Sequence, residues 1–338
     1  MNIVIVTTGH PPFDERIFYK IGFSLKKFNN EVSVICSNEM IDTISEGIKI
    51  KGFDGNSLSN KDKIKRLAEE IRYLNPSLII CCEPLAILAA HRYKKEKTSD
   101  AKIISDITEY YPLKSTLNRY SGLQKIIKFI RYFVFNIYAT NLADYLFIGE
   151  KGKARLYKFI APTKRKAIIG YYPPSGIFRY SKPSYDGKNF TLCYSGNISE
   201  SRGFRRYLTL IKKAADLFPD KIFTALIIGQ YESEVLRKLT DKLLLIKNVK
   251  VTYRGKVDYV NYSDALSPAD VCIDLRDKNS VFERSLPIKV FDYMACGKPV
   301  VYSNLKSFRE FEDVEQFGLL IEPDDITAAL DRIGLYLV

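Results

Sequence analysis

Lys289 and Asp292 stand three residues apart in Pro287-Ile-Lys-Val-Phe-Asp-Tyr-Met-Ala-Cys-Gly-Lys-Pro299. Helix amides with an ammonium can take phosphate, and a carboxylate can take ribose hydroxyls, so the set suits a nucleoside diphosphate. An ordinary helix with a surface acid fits the same spacing. Tyr194-Ser-Gly-Asn-Ile-Ser-Glu-Ser-Arg-Gly-Phe204 offers a second phosphate set. Gly196 permits a tight turn, and Arg202 with the amides after it can hold an anion. A plain glycine turn is the alternative. Near the N-terminus, Gly9, His10 and Asp14 lie in Thr7-Thr-Gly-His-Pro-Pro-Phe-Asp14, where Asp14 also suits a helix N-cap. Asp106 and Glu109, in Ser105-Asp-Ile-Thr-Glu-Tyr-Tyr-Pro112, are acids at a strand end that can equally cap the next helix.

The elements that must carry these residues alternate. The pattern predicts strands at 2–7, 31–36, 77–82, 101–105, 145–148 and 166–169. Helices fall near 14–28, 61–74 and 84–95. In the first helix Ile17, Ile21 and Leu25 are expected inward, and Arg16, Lys20 and Lys26 outward. The Pro-, Gly- and Ser-rich stretch 171–189 reads as a connection between a domain at 1–170 and one at 190–338. A second series follows: strands 190–195, 222–228, 249–253, 270–274 and 299–302, with helices 203–217, 232–243, 259–266 and 287–296. Pro287 suits a first helical turn, Gly297 a left-handed stop, and Pro299 prevents resumption. Nearly continuous apolar strands between helices mean α/β domains with parallel sheets covered on both faces. Two doubly wound domains are expected to face a cleft, with ligands at the carboxyl ends of the strands.

The 338 residues are 46% hydrophobic and 13% aromatic, enough for two cores. No uncharged apolar run approaches the ~18 residues of a membrane span, and Met1–Thr7 reads as a strand rather than a signal peptide. Six cysteines without Cys-x-x-Cys spacing fit buried cytosolic thiols, and two histidines, His10 and His91, argue against a histidine metal cluster. Net charge is +13, and residues 111–170 hold twelve Lys or Arg against Asp144 and Glu150 alone. That excess points to an anionic partner. Lys114–Tyr138 sets Lys125, Lys128 and Arg131 beside aromatic and aliphatic residues, a pattern for contact with an anionic membrane surface. The other reading is a core helix with a solvated polar face, expected for many of its apolar residues. No recognised nucleic-acid module occurs, so nucleic acid is not an expected partner.

The 287–301 segment resembles the donor motif of family 4 glycosyltransferases of the GT-B fold, and the resemblance extends more weakly over about 1–325. It implies an α/β GT-B chain of two Rossmann-like domains, with Asp292 in place of the family's ribose-binding Glu. Arg202 stands for a diphosphate-binding Lys, while Asn197 replaces the usual Arg. Ser285, Pro287 and Lys289 look like a variant whose loop holds the distal phosphate. Arg284 stands where a sugar-binding Glu is common, with Glu283 adjacent. The Thr7–Phe18 string is similar to a bacterial surface-polysaccharide branch, in capsule or lipopolysaccharide synthesis. Asp106 and Glu109 match a family string in which Thr108 replaces a His. The C-terminus lacks the family's further helical stretch, which implies a compact or truncated variant.

The implied activity is retaining transfer from a UDP- or GDP-sugar to a hydroxyl of a lipid-linked glycan, without metal or cofactor. The donor would be held by Gly9, Gly196, Asn197, Arg202, Glu283, Ser285, Pro287, Lys289 and Asp292. His10, Asp14, Asp106 and Glu109 would be the catalytic set. The expected place is cytoplasmic, peripheral on the inner face of the membrane. A non-catalytic partner subunit and a nucleotide-sugar 2-epimerase are the alternative readings, and a nucleic-acid binder has only the charge in its favour.

Overall fold

The computed structural model describes residues 1–109, 111–112, 114–174, 176–183, 186–309, 316 and 318–337. Tyr110 of the acidic string, residues 175, 184 and 185 of the expected connection, and the side chains of Lys114 and Ser115 lie outside what it describes. The chain divides into two compact units, Met1–Tyr171 and Tyr172–Val338.

In the first unit the strands are β1 (Asn2–Thr7), β2 (Glu31–Cys36), β3 (Asn38–Ser45), β4 (Ile48–Asp54), β5 (Leu78–Cys81), β6 (Lys102–Ile107), β7 (Tyr145–Ile148) and β8 (Arg165–Ile168). They form one sheet in the order β3-β4-β2-β1-β5-β6-β7-β8. All pairings are parallel except β3 with β4, which is antiparallel and bulged after Asn38. Ile3–Val6 are fully buried because helices cover both faces of the central strands. The strands after β1 run outward on one side and β5–β8 on the other, so the order reverses between β1 and β5. Ligands in open α/β sheets bind beyond the carboxyl ends of strands at such a reversal.

The second unit repeats the plan with β9 (Asn189–Ile198), β10 (Ile222–Tyr231), β11 (Val249–Tyr253), β12 (Val271–Asp274), β13 (Val300–Ser303) and β14 (Gly318–Ile321). The order is β11-β10-β9-β12-β13-β14, all parallel, reversing between β9 and β12. Alternation along β9 divides its core between the two faces. Leu192 and Tyr194 join Phe204, Tyr207 and Ile211 on one side, and Cys193 joins Leu226, Tyr293 and Tyr302 on the other. All six cysteines are free and buried.

Several expectations need correction. Residues 14–28 are not one regular helix: a π-helix, Glu15–Gly22, precedes a short α-helix, Phe23–Lys27. Arg16 and Lys20 point inward, at 5% and 7% exposure. Ion pairs make that burial tolerable: Arg16 with Asp106, and Lys20 with Glu15. The β3–β4 hairpin was not legible, since β3 is polar and largely exposed at the sheet edge. Strand β14 and the helices Lys151–Ile160 and Ile326–Leu337 were also missed. The helix expected at 232–243 is Glu234–Asp241 followed by a 3-10 turn. Helix Ile288–Ala295 begins after Pro287 and stops before Gly297, whose φ of +73° is the left-handed conformation anticipated.

Candidate functional site

In the second unit the loops after β9 and β12 meet at the strand-order reversal. Gly196 has φ +113°, and a Cβ there would approach Lys289 Cε to 2.7 Å, so the lysine stem lies across a bare backbone. Lys289 Nζ sits 5.0 Å from the centroid of Tyr262. Beneath it Ser195 Oγ is bonded to Tyr293 OH at 2.6 Å and to Tyr262 OH, which fixes both rings. Asp292, on the same helix as Lys289, is 2% exposed, and Tyr259 OH donates to its Oδ1 at 3.5 Å.

Gly203, with φ +82°, caps helix Phe204–Leu217 and packs so closely on Leu275 that a Cβ would fall 1.9 Å from its carbonyl oxygen. That contact sets Arg202 beside the end of β12. Burial, then the neighbouring Arg276, pushes the Arg202 guanidinium below its ordinary pKa. Asn197 is exposed, and its carbonyl accepts from Tyr194 OH at 3.1 Å. Glu283 and Ser285 hold the next segment: Glu283 Oε2 accepts from Lys306 N at 2.7 Å, and the Ser285 carbonyl from Ser307 Oγ at 3.2 Å. Pro287 is buried at the helix start. Gly196, Lys289 and Asp292 thus share one locus. Arg202 stands with Arg276 and Phe282, and Glu283 and Ser285 are structural ties beside them.

The first unit places acids and one histidine at its own reversal. Glu83, just after β5, was missed by sequence reasoning, although Cys82-Glu83-Pro84 marks a strand end running into a helix. Its Oε1 accepts from Thr7 Oγ1 at 2.8 Å and Gly9 N at 3.1 Å, and its Oε2 from Thr8 N at 2.7 Å. It therefore pins the loop after β1. Burial raises the Glu83 carboxyl above its usual range. Asp14 caps the π-helix, accepting from Arg16 N at 2.8 Å and Ile17 N at 3.1 Å. His10 lies between the two acids, Nδ1 at 3.1 Å from Asp14 and Nε2 at 3.7 Å from Glu83. The Asp14 hydrogen bond outweighs burial and raises the His10 pKa. Burial pushes Asp14 up, but His10 and the two amides more than offset it, leaving Asp14 lowered.

Asp106 commits both oxygens to Arg16, Oδ2 to Nε at 2.7 Å and Oδ1 to Nη2 at 2.6 Å, and is 1% exposed. Arg16 Nη1 also donates to the Ile169 carbonyl at 3.2 Å, and its guanidinium stacks 4.5 Å from the Tyr171 centroid. Asp106 therefore anchors the π-helix, whereas Glu109 is exposed on a bend. Among the described residues no three metal-ligating side chains gather.

Helix Gly122–Leu142 seats Asn136, Ala139 and Thr140 in the unit. Its other face turns outward: Leu123, Ile126, Ile127, Ile130, Val134 and Tyr138 are 54–71% exposed at helical spacing. The expectation that many of its apolar residues fill the core is corrected on this face. Lys125 and Arg131 are exposed, and Lys128 lies 5.3 Å from the Tyr120 ring centroid. No described helix is long and apolar enough to cross a membrane.

The family described as Glycosyl transferases group 1 matches residues 189–337, which lie within the second unit. No curated protein matches the chain in sequence. Among solved structures, sucrose-phosphate synthase from Thermosynechococcus elongatus is similar with a TM-score of 0.66 at 14% identity, over 99% of this chain and 89% of that one. The lipopolysaccharide outer core galactosyltransferase WaaB gives 0.62 at 15%, over 100% and 90%. Anabaena HepE in complex with UDP-glucose gives 0.60 at 15%, over 99% and 89%. The likeness is one of fold: GT-B, two Rossmann-like units with parallel sheets.

Proposed function

We propose that the chain transfers a sugar from a UDP- or GDP-sugar to a hydroxyl of a glycan acceptor. One observation carries this reading: Lys289, Asp292 and the bare backbone of Gly196 converge at the β9–β12 reversal of the unit that matches the glycosyl transferases group 1 family, with Arg202 on the adjoining loop. Asp292 would take the ribose hydroxyls, and Lys289, Arg202 and the bare backbone at Gly196 the diphosphate. Complexes of similar fold that contain UDP or UDP-glucose support the uridine donor. In the first unit, His10 and Gly9, set by Glu83 and Asp14, would meet the acceptor, with Glu109 exposed nearby on a bend. Asp106 would act by holding Arg16 rather than by touching substrate.

In the transfer the bond from the anomeric carbon to the diphosphate oxygen breaks and a bond to the acceptor oxygen forms. The acceptor proton passes to the leaving diphosphate, whose charge the cations stabilise. Retention of configuration and independence of metal belong to this proposal. So does a place in surface-polysaccharide synthesis on the cytoplasmic face of the membrane. There the exposed apolar face of helix Gly122–Leu142, flanked by Lys125, Lys128 and Arg131, would lie on anionic lipid before a lipid-linked acceptor.

Calorimetry against UDP, GDP and their sugar conjugates tests the donor site. Saturable binding of one nucleotide is expected, and folded protein that binds none would overturn the reading. Asn197, exposed where the resemblance has a basic residue, favours a second reading as a non-catalytic partner, which measurable transfer of labelled sugar would exclude.

A further inference from the structure

Two guanidinium groups converge on one aromatic ring beside the β9–β12 reversal. Arg202 Cζ lies 6.0 Å, and Arg276 Cζ 5.3 Å, from the centroid of Phe282. Arg276 is 6% exposed and paired in fork geometry: its Nε donates to Asp274 Oδ1 at 2.6 Å and its Nη2 to Asp274 Oδ2. Its backbone is fixed as well, since Ser303 Oγ donates to its carbonyl at 2.7 Å and Gly203 packs on the Leu275–Arg276 peptide. Arg202 has no carboxylate within hydrogen-bonding reach among the described residues. One neutralised and one unpaired guanidinium in a partly buried place repel each other, and burial first, then this repulsion, holds Arg202 below its ordinary pKa. An anion between them would relieve that repulsion.

We propose that Arg276 is a second phosphate-gripping residue of the donor site, and that Asp274 is the positioning residue that presents it. The fork with Asp274 uses Nε–H and one Nη2–H, so three N–H groups remain to meet phosphate oxygens in a fixed plane. Arg202 and Arg276 together would clamp the diphosphate from the β9 and β12 sides, while Lys289 approaches over Gly196. This rests on the donor-site reading of the second unit.

Calorimetry with the full chain tests it, comparing nucleoside, monophosphate and diphosphate of whichever series, uridine or guanosine, the parent protein binds. Arg276→Lys keeps the charge and loses the fork. It should weaken the diphosphate roughly 10- to 100-fold, the range of a lost charge-assisted bond, and leave the nucleoside unchanged, so that the diphosphate-to-monophosphate preference falls. Asp274→Asn should move the same preference in the same direction. If Arg276→Lys fails to fold, the paired variant Asp274→Asn/Arg276→Gln, which leaves no lone buried charge, must show the lost preference. A parent that binds diphosphate and a folded variant with an unchanged preference would overturn the role of Arg276 and leave the donor site standing. A parent that binds no nucleotide while Asp292→Ala is equally silent would overturn both.

Discussion

Asp106→Asn should loosen the first unit and leave the second untouched. The carboxylate is 1% exposed and the Arg16 side chain 6%, and two hydrogen bonds of 2.6 and 2.7 Å join them. Removing the negative charge leaves a buried guanidinium that keeps only carbonyl partners and the Tyr171 face. Breaking one partner of a buried pair costs about 3–5 kcal/mol. The chain has no tryptophan and two units, so a single fluorescence transition is a poor gauge. Amide hydrogen exchange resolves the units instead. Amides of Ile3–Val6 and Ile103–Ser105 should exchange roughly a hundred- to several-thousand-fold faster in the variant, that energy expressed as an opening constant. Leu192 and Cys193 in β9 should be unchanged. Arg16→Met/Asp106→Leu, which removes both charges, should recover most of the protection, because replacing a whole buried pair by apolar groups is often neutral. If Asp106→Asn changed first-unit exchange by less than tenfold, or the double variant were the worse, the pair would not be the anchor described.

Asp292→Ala should weaken nucleotide binding by about 1–3 kcal/mol through the lost charge-assisted bond; calorimetry with an unchanged affinity would remove it from the ribose. Imidazole NMR should show His10 titrating above the ordinary histidine range, and Asp14→Asn should lower its midpoint. The sign follows from both shifts. Raised His10 contributes stability that is full below about pH 6.5 and is lost as pH rises through its folded value. Lowered Asp14 contributes stability above about pH 3.9 that is lost as pH falls through its folded value. Thermal unfolding of Asp14→Asn should therefore differ most from the parent between those limits. Gly203→Ala, with φ +82° and a Cβ 1.9 Å from the Leu275 carbonyl, should destabilise the second unit by more than the 1–2 kcal/mol of a left-handed residue alone, read by urea denaturation. Reversing Lys125, Lys128 and Arg131 to Glu should reduce co-sedimentation with anionic vesicles, and Ile130→Asn should do so without changing the net charge; binding unaffected by either would leave the helix merely solvated.

The local sequence determined much of this protein. Unbroken apolar runs such as Ile3–Val6 and Val271–Ile273 demand burial on both faces, and with intervening helices that is a doubly wound sheet. Gly297 and Pro287 set the bounds of the helix that carries Lys289 and Asp292 because their backbone restrictions are local. What the sequence left open depends on contacts between distant residues. Periodicity turned Arg16 and Lys20 toward solvent, since it counts charge and cannot see Asp106 ninety residues away or the carbonyl of Tyr171. Glu83 looked like any strand-end acid until β5 came to lie beside β1 and brought it to three groups of the Thr7–Gly9 loop. The polar β3 has no apolar face to announce it, because at a sheet edge its pairing with β4 suffices. The apolar stripe of helix Gly122–Leu142 has the spacing of a core face, and only the seating of Asn136, Ala139 and Thr140 on the opposite side turned it outward. Spacing reports which residues lie on one face of an element; which face the protein covers, and which buried charges find partners, is decided when separate elements pack.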